Sequence, residues 1–159
     1  MDISDEEFLK IVHAFNSLEV KYMLVGGFTV NYYGYNRTTA DFNLWINPTN
    51  ENKVYVLAAM EMLGYTKEEL HDLAQEDFTL PVSFQIGGNQ FYVDVMTSIT
   101  GVKFEEAYPM AVDETLKTQE RLKIIHRNHL IVNKLLSGRT KDKLDVESLQ
   151  EIQKKESKS

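Results

Sequence analysis

The chain has 159 residues, no cysteine and a formal net charge of −7. That length favours one domain, which can bury about 70% of its unfolded surface without disulfide bonds. The negative charge argues against broad non-specific binding to nucleic acid. With no cysteine, no basic signal segment and no long apolar run, we expect a cytoplasmic protein with no membrane partner. The expected domain covers residues 1–153, and a frayed polar tail follows over residues 154–159.

The first third of the chain predicts two helices and two strands. Ser4 is the expected cap of an amphipathic helix that reaches Leu18, with glutamate three residues after the serine. A short apolar strand follows over residues 22–25, and a helix over residues 28–35. Alternating polar and apolar residues then predict a strand over residues 41–46.

The middle of the chain predicts a helix followed by a hairpin. Residues 51–63 have helical spacing and end at a glycine. The inward positions expected for this helix are Val54, Leu57, Ala58 and Met62. Residues 66–78 are charged and less periodic, which indicates a short helix or a loop. Two apolar runs, 82–86 and 90–96, flank a glycine pair and predict a β-hairpin.

The last third predicts one strand and two helices. The strand covers residues 122–125, and the first helix covers residues 129–136 and ends at Gly138. The final helix covers residues 141–155. Its expected inner positions are Leu144, Val146, Leu149 and Ile152. Central strands with helices before, between and after them predict an α/β or α+β domain.

Asp41, Asn43 and Asp94 form the first candidate site. Positions 41 and 43 are two apart on a strand, so both side chains leave the same face. Such a pair, with a carboxylate from a neighbouring strand, can hold two Mg²⁺ ions. An amide oxygen from Asn43 can still bind Mg²⁺ but adds no charge, so metal binding should be weaker. Judged by acid spacing alone, solvated acids at a sheet edge are the simpler interpretation.

Two further sets near the first strand could contact phosphate. The adjacent Gly26 and Gly27 let the backbone turn sharply and approach a ligand, although glycine pairs are common in ordinary turns. Arg37 and Thr38 precede the acidic strand, and the arginine could hold a triphosphate oxygen. Alone, Arg37 reads more simply as a surface charge.

A basic segment near the C-terminus forms the last set. Lys134, Arg139 and Lys141 concentrate positive charge in an acidic chain. They could face a nucleotide or an acceptor phosphate. An equally supported interpretation is a solvated helix–turn–helix with intrahelical ion pairs, such as Lys141 with Asp145.

The order of these motifs resembles the minimal nucleotidyltransferase family of the polymerase-β-like superfamily. The resemblance rests on the glycine pair 26–27, a helix, the segment 37–46 and a later acid within 93–95. The C-terminal segment 130–146 is also similar to that of small bacterial members. Those include the nucleotidyltransferase toxins of toxin–antitoxin and abortive-infection systems.

The resemblance implies a small mixed sheet flanked by helices and Mg²⁺-dependent transfer of a nucleoside monophosphate from a nucleoside triphosphate. Gly26 and Gly27 would cradle the phosphates. Asp41, Asn43 and Asp94 would hold the metal, and Asp94 would act on the acceptor hydroxyl. The acceptor stays open between tRNA, a protein and a small molecule, and so does the nucleotide base.

Asn43 stands where the family usually has aspartate. The substitution, natural or introduced, would reduce or abolish activity. The alternative is therefore a non-catalytic nucleotide- or partner-binding relative, such as an antitoxin-like interaction protein.

Overall fold

A computed structural model describes residues 5–34, 42–88 and 90–157 of the chain. Helices and strands are interspersed along these ranges. In chain order the elements are α1 (Glu6–Ser17), β1 (Tyr22–Val25), α2 (Gly27–Tyr32), β2 (Phe42–Ile46), α3 (Asn50–Met62), α4 (His71–Gln75), β3 (Ser83–Gly87), β4 (Tyr92–Met96), α5 (Phe104–Ala107), a 3₁₀ turn (Tyr108–Met110), β5 (Val112–Thr115), β6 (Arg121–Ile124), α6 (Arg127–Ser137) and α7 (Thr140–Ser157).

The strands form one mixed sheet in the order β3-β4-β2-β1-β6-β5. β1 pairs antiparallel with β2 and parallel with β6, while β2 pairs parallel with β4. β3 and β5 are antiparallel edge strands. The predicted α/β class, with a small mixed sheet flanked by helices, is confirmed. The division into a domain and a polar tail stays a prediction.

The sheet is covered on both faces because its central strands alternate their buried residues. Phe42, Leu44 and Ile46 pack on the face covered by α1 and α3. Trp45 points to the other face, which α5, α6 and α7 cover. The indole Nε1 of Trp45 donates a hydrogen bond to the carbonyl oxygen of Thr97 at 3.1 Å, so its one polar atom is satisfied. Asn43 therefore faces α6 and α7 rather than α1.

The cap of α1 differs from the predicted one. The N-cap is Asp5, whose carboxylate accepts from the backbone N–H of Phe8 at 3.1 Å. The prediction of Ser4 was wrong by one residue, because aspartate caps as well as serine and spacing alone does not separate the two.

The buried face of α3 is also not the predicted one. Its buried residues are Asn52, Val56, Ala59 and Met60. Val54 and Met62, predicted to point inward, are 61% and 52% exposed. The polar Asn52 determines this rotation, because its side chain accepts from the N–H of Lys21 at 3.0 Å and donates to the carbonyl of the same residue at 3.1 Å. The prediction of this buried face was wrong at Val54 and Met62 because it considered apolar residues alone.

Two further details near the C-terminus depart from the prediction. Leu144, expected inside, is 55% exposed, since the buried positions at that end of α7 are Asp142 and Asp145. Strand β5 was not predicted, because the acidic Asp113 and Glu114 at its centre are poor strand formers. Within the described ranges, the helices are too short or too polar for any of them to cross a bilayer.

Candidate active site

A polar cleft of about 510 Å³ lies between the end of β1 and the helices α6 and α7. Residues from three of the predicted sets line its walls. They are Gly26, Gly27, Asn43, Asp94, Lys134, Arg139 and Lys141. The remaining predicted site residues, Arg37, Thr38 and Asp41, lie outside the described residues.

The sheet wall of the cleft consists of three strand positions side by side. Val25 is opposite Asn43 across the antiparallel β1–β2 pair, and Asn43 is opposite Asp94 across the parallel β2–β4 pair. Both polar side chains leave the sheet toward α6 and α7. Neighbouring strands lie about 4.8 Å apart, so an amide and a carboxylate stand next to each other here.

Asp94 also has a neighbour on its other side. The side-chain Nε2 of Gln85, opposite it in β3, donates to Asp94 Oδ1 at 3.2 Å. One carboxylate thus stands between two amide side chains, and Gln85 fixes the direction of one of its oxygens.

Gly26 closes the sheet wall and requires glycine for two reasons. Its φ is +82°, in the region that side chains disfavour. A Cβ built there would lie 2.2 Å from Nδ2 of Asn43. The carbonyl of Gly26 accepts from both the backbone N–H of Thr29, at 3.1 Å, and its hydroxyl, at 2.5 Å. The backbone therefore turns sharply into α2 directly beside the amide of Asn43.

The helix wall is built around Lys134. Its ammonium lies 3.1 Å from Asp142 Oδ1 and 2.8 Å from Asp145 Oδ2. Lys134 is 5% exposed and both aspartates are 1% exposed. Lys134 thus lines the cleft but is bound to two buried carboxylates. Asp145, predicted to pair with Lys141 inside α7, forms an ion pair with Lys134 of α6.

Arg139 lies between α6 and α7 at the mouth of the cleft. Its Nε is 2.6 Å from Asp142 Oδ2, and its Nη2 is 3.4 Å from Oδ1. The Ser137 hydroxyl donates to the same carboxylate. Burial alone would raise the pKa of Asp142, but the hydrogen bonds from Ser137, Arg139 and Lys134 and the lysine charge lower it to about 2. Asp142 is therefore ionised at neutral pH.

The donor set of the sheet wall suits a hard divalent cation. Asn43 and Asp94 supply amide and carboxylate oxygens, which are ligands that Mg²⁺ accepts. In the described part of the chain, no three His, Cys, Asp or Glu side chains lie close enough together to hold a metal ion. The predicted metal site therefore needs Asp41 to complete it.

The fold has solved counterparts. The lincomycin-bound crystal structure of the lincosamide antibiotic adenylyltransferase LnuA matches with a TM-score of 0.56 and 16% identity, over 96% of this chain and 99% of that one. An antigenic nucleotidyltransferase-like protein from Paracoccidioides brasiliensis matches with a TM-score of 0.50 and 17% identity, over 95% of this chain and 77% of the other. This chain has a nucleotidyltransferase-like fold. No family model and no curated protein matches its sequence.

Several cleft residues were not predicted from the sequence. Gln85 contacts Asp94 from β3, beside the cleft. It gave no signal, because the predicted arms 82–86 and 90–96 would place it opposite Phe91, whereas the structure pairs it with Asp94. Asp142 carried a weak signal, because it lies three residues after Arg139 at the start of a helix. Ser98, Thr100 and Asn133 gave none. All three line the cleft, and Asn133 Nδ2 donates to the carbonyl of Thr100 at 3.0 Å, which joins this loop to α6.

Proposed function

We propose that this protein transfers a nucleoside monophosphate from a nucleoside triphosphate to an acceptor hydroxyl. The observation that carries the proposal is the register of Asn43 with Asp94 on neighbouring parallel strands, inside the cleft that also contains Gly26. The fold shared with nucleotidyltransferase structures supports it.

Asp41, Asn43 and Asp94 would hold Mg²⁺. When bound, that ion would neutralise phosphate charge and lower the pKa of the attacking hydroxyl. The acceptor oxygen would form a bond to the α-phosphorus, and the bond from that phosphorus to the oxygen bridging to the β-phosphate would break. Pyrophosphate leaves with the electron pair of that bond. The carboxylate of Asp94 would take the hydroxyl proton.

The phosphate tail would lie between the two walls of the cleft. The backbone of Gly26 and Gly27 can approach it closely from the sheet side. Arg139 and Lys141 supply positive charge from the helix side. Lys134 contributes less, because Asp142 and Asp145 already neutralise it. This division of roles separates the metal-binding strands from the cations on the opposite side.

A second function is favoured by Asn43. With an amide in place of a carboxylate, the site holds one negative charge fewer for a divalent cation. The protein would then bind a nucleotide or a protein partner without turnover. An antitoxin-like partner of a nucleotidyltransferase toxin is the interaction that the sequence resemblance suggests.

The deciding experiment measures nucleotide transfer by the wild type and by Asn43→Asp, with Mg²⁺ and each labelled triphosphate in turn. Because LnuA was solved with lincomycin, small hydroxyl compounds are the first acceptors to test, followed by tRNA and protein. We expect Asn43→Asp to transfer faster than the wild type and Asn43→Asp combined with Asp94→Ala to be inactive. Asp72→Ala, on the exposed surface of α4, is the control for losing one carboxylate.

Thermal melting with Mg²⁺ and nucleotide separates the two functions at low cost. A ligand at a hundred times its Kd adds about 2.7 kcal/mol to the stability of the folded state. If the wild type and Asn43→Asp both show no transferred label and no nucleotide-dependent shift in melting temperature, nucleotide transfer and nucleotide binding are both excluded. Partner binding that survives Asp41→Ala and Asp94→Ala would support the interaction protein.

A further inference from the structure

One cation at the mouth of the cleft is oriented by a buried anion. Arg139 is 73% exposed by its side chain, yet its guanidinium is bound through Nε and Nη2 to Asp142, which is 1% exposed. Exposed arginines ordinarily lose considerable side-chain entropy when they bind an anion. Here a carboxylate that belongs to the core has already restricted this side chain.

The same geometry leaves part of the guanidinium available. Arginine presents five N–H donors in a planar fork. Asp142 engages the side formed by Nε and Nη2, at 2.6 and 3.4 Å. The donors on the remaining side point away from that carboxylate. A planar fork can bind two oxyanions at once, one on each side, which a single ammonium cannot do with fixed direction.

Asp142 is itself held in place by two groups other than Arg139. The Ser137 hydroxyl donates to it, and the Lys134 ammonium lies 3.1 Å away. Lys134 is also 2.8 Å from Asp145, so α6 and the first turns of α7 are joined by ion pairs out of water. The position of the Asp142 carboxylate, which orients Arg139, is therefore set by buried contacts.

We propose that Asp142 is a positioning residue, which holds the Arg139 guanidinium at the cleft mouth so that its outer side binds the phosphate tail of the nucleotide. The inference rests on the proposed nucleotide function. Asp142 touches no phosphate in this arrangement and acts only through Arg139. The ligand chemistry is a polyphosphate, whichever base it carries.

A double-mutant cycle tests this coupling, with inorganic tripolyphosphate as the probe and calorimetry as the measurement. We expect Arg139→Gln to weaken binding about tenfold, since a charge-assisted hydrogen bond is lost. Asp142→Asn should weaken it several-fold in the wild type. In the Arg139→Gln background it should not weaken binding, because the loss of one carboxylate partner of Lys134 there can only favour an anion. A purely structural role for Asp142 would weaken binding in both backgrounds.

Further variants protect the test against misfolding and charge effects. Arg139→Lys keeps the charge at this exposed position. We expect it to bind tripolyphosphate more weakly than the wild type, because an ammonium lacks the planar fork that can bind Asp142 and a phosphate in fixed directions. Arg121→Gln, an exposed arginine on β6, should leave Kd unchanged. Asp145→Asn removes a buried carboxylate from the same network and should weaken binding less than Asp142→Asn.

The outcomes separate this inference from the proposed function. Equal Kd values for the wild type, Arg139→Lys and Asp142→Asn would overturn the positioning role, even if nucleotide transfer is found. The same holds if Asp142→Asn and Arg139→Gln weaken binding additively. Coupling with tripolyphosphate but no binding of any triphosphate with Mg²⁺ would support the positioning role and count against nucleotide transfer.

Discussion

The two walls of the cleft are built in opposite ways. On the sheet wall, Asn43 and Asp94 stand beside each other, and within the described part of the chain the amide of Gln85 donates to the carboxylate. On the helix wall, Lys134 is enclosed between two carboxylates that are 1% exposed. The sheet wall keeps oxygen atoms available for a ligand, while the helix wall uses most of its charge to hold α6 against α7.

The sheet wall is therefore suited to binding a ligand, and most of the helix wall to supporting the fold. Carboxylate and amide oxygens on a rigid sheet can accept a cation without rearrangement. A buried ion-pair network fixes geometry but contributes little net attraction for a further ligand, because its charges already compensate one another. Only the exposed edge of the helix wall, at Arg139 and Lys141, should respond to phosphate. The following predictions test that contrast from the largest expected effect to the smallest.

Breaking the helix wall should have the largest effect on stability. Lys134→Met leaves Asp142 and Asp145 buried without their shared cation, which should cost about 3–5 kcal/mol of unfolding free energy. Lys141→Met, on an exposed position of the same cleft, should change it by no more than about 0.5 kcal/mol. Chemical denaturation measures both. Similar values for the two lysines would show that the network does not support the fold.

Gly26→Ala tests the turn of the sheet wall. A side chain at φ +82° should cost roughly 1–3 kcal/mol, and the overlap of its Cβ with Asn43 adds to that. Gly88→Ala is the control, since a Cβ there meets nothing within 4 Å. Chemical denaturation of both variants, and of the double variant Gly26→Ala with Asn43→Ala, separates the cost of backbone strain from the cost of overlap with Asn43. The double variant should regain part of the loss, and no recovery would mean that the amide is not in contact.

Acid should weaken the helix wall through Asp142. Its folded pKa of about 2 lies below the unfolded value of 3.8, so its stabilisation is present above 3.8 and disappears as the pH falls toward 2. The shift corresponds to about 2 kcal/mol. Unfolding free energies at pH 5 and pH 2.5 should differ by less in Asp142→Asn than in the wild type. Asp113→Asn, an exposed partner of Lys123, should keep the wild-type pH dependence.

The smallest effect is expected from Asn43→Asp, which places two carboxylates opposite each other on β2 and β4. Without metal, like charges across a sheet should cost roughly 0.2–1 kcal/mol. Mg²⁺ should reverse the loss and raise the melting temperature above that of the wild type under the same conditions. Asn128→Asp, exposed at the start of α6, is the control and should gain no Mg²⁺ dependence. An unchanged response to Mg²⁺ in Asn43→Asp would count against a metal site on the sheet wall.

The sequence predicted the sheet wall better than the helix wall. Strand β1 lies where the apolar run placed it, and the period-2 alternation correctly put Val93 and Val95 on the opposite face from Asp94. Strand periodicity is local, so it can be read without tertiary contacts. The metal role of these residues stays a prediction.

The helix wall depended on contacts that sequence spacing does not show. Lys134 was predicted either to face a ligand or to lie on a solvated helix–turn–helix. It is instead buried against Asp142 and Asp145 of the next helix. The same limit applies to α3, where the polar Asn52 takes an inward position for its hydrogen bonds to Lys21. Buried polar residues break the apolar pattern on which such predictions rely.

The parallel pairing of β1 with β6 affects when the cleft can form during synthesis. Leu24 is in register with Ile124, a separation of a hundred residues, and α6 and α7 follow β6. A nascent chain can therefore emerge from the ribosome with Gly26, Asn43 and Asp94 complete long before the opposite wall exists. Non-local pairing of this kind slows folding, and until the last helices are made the sheet wall faces bulk water with nothing to close it.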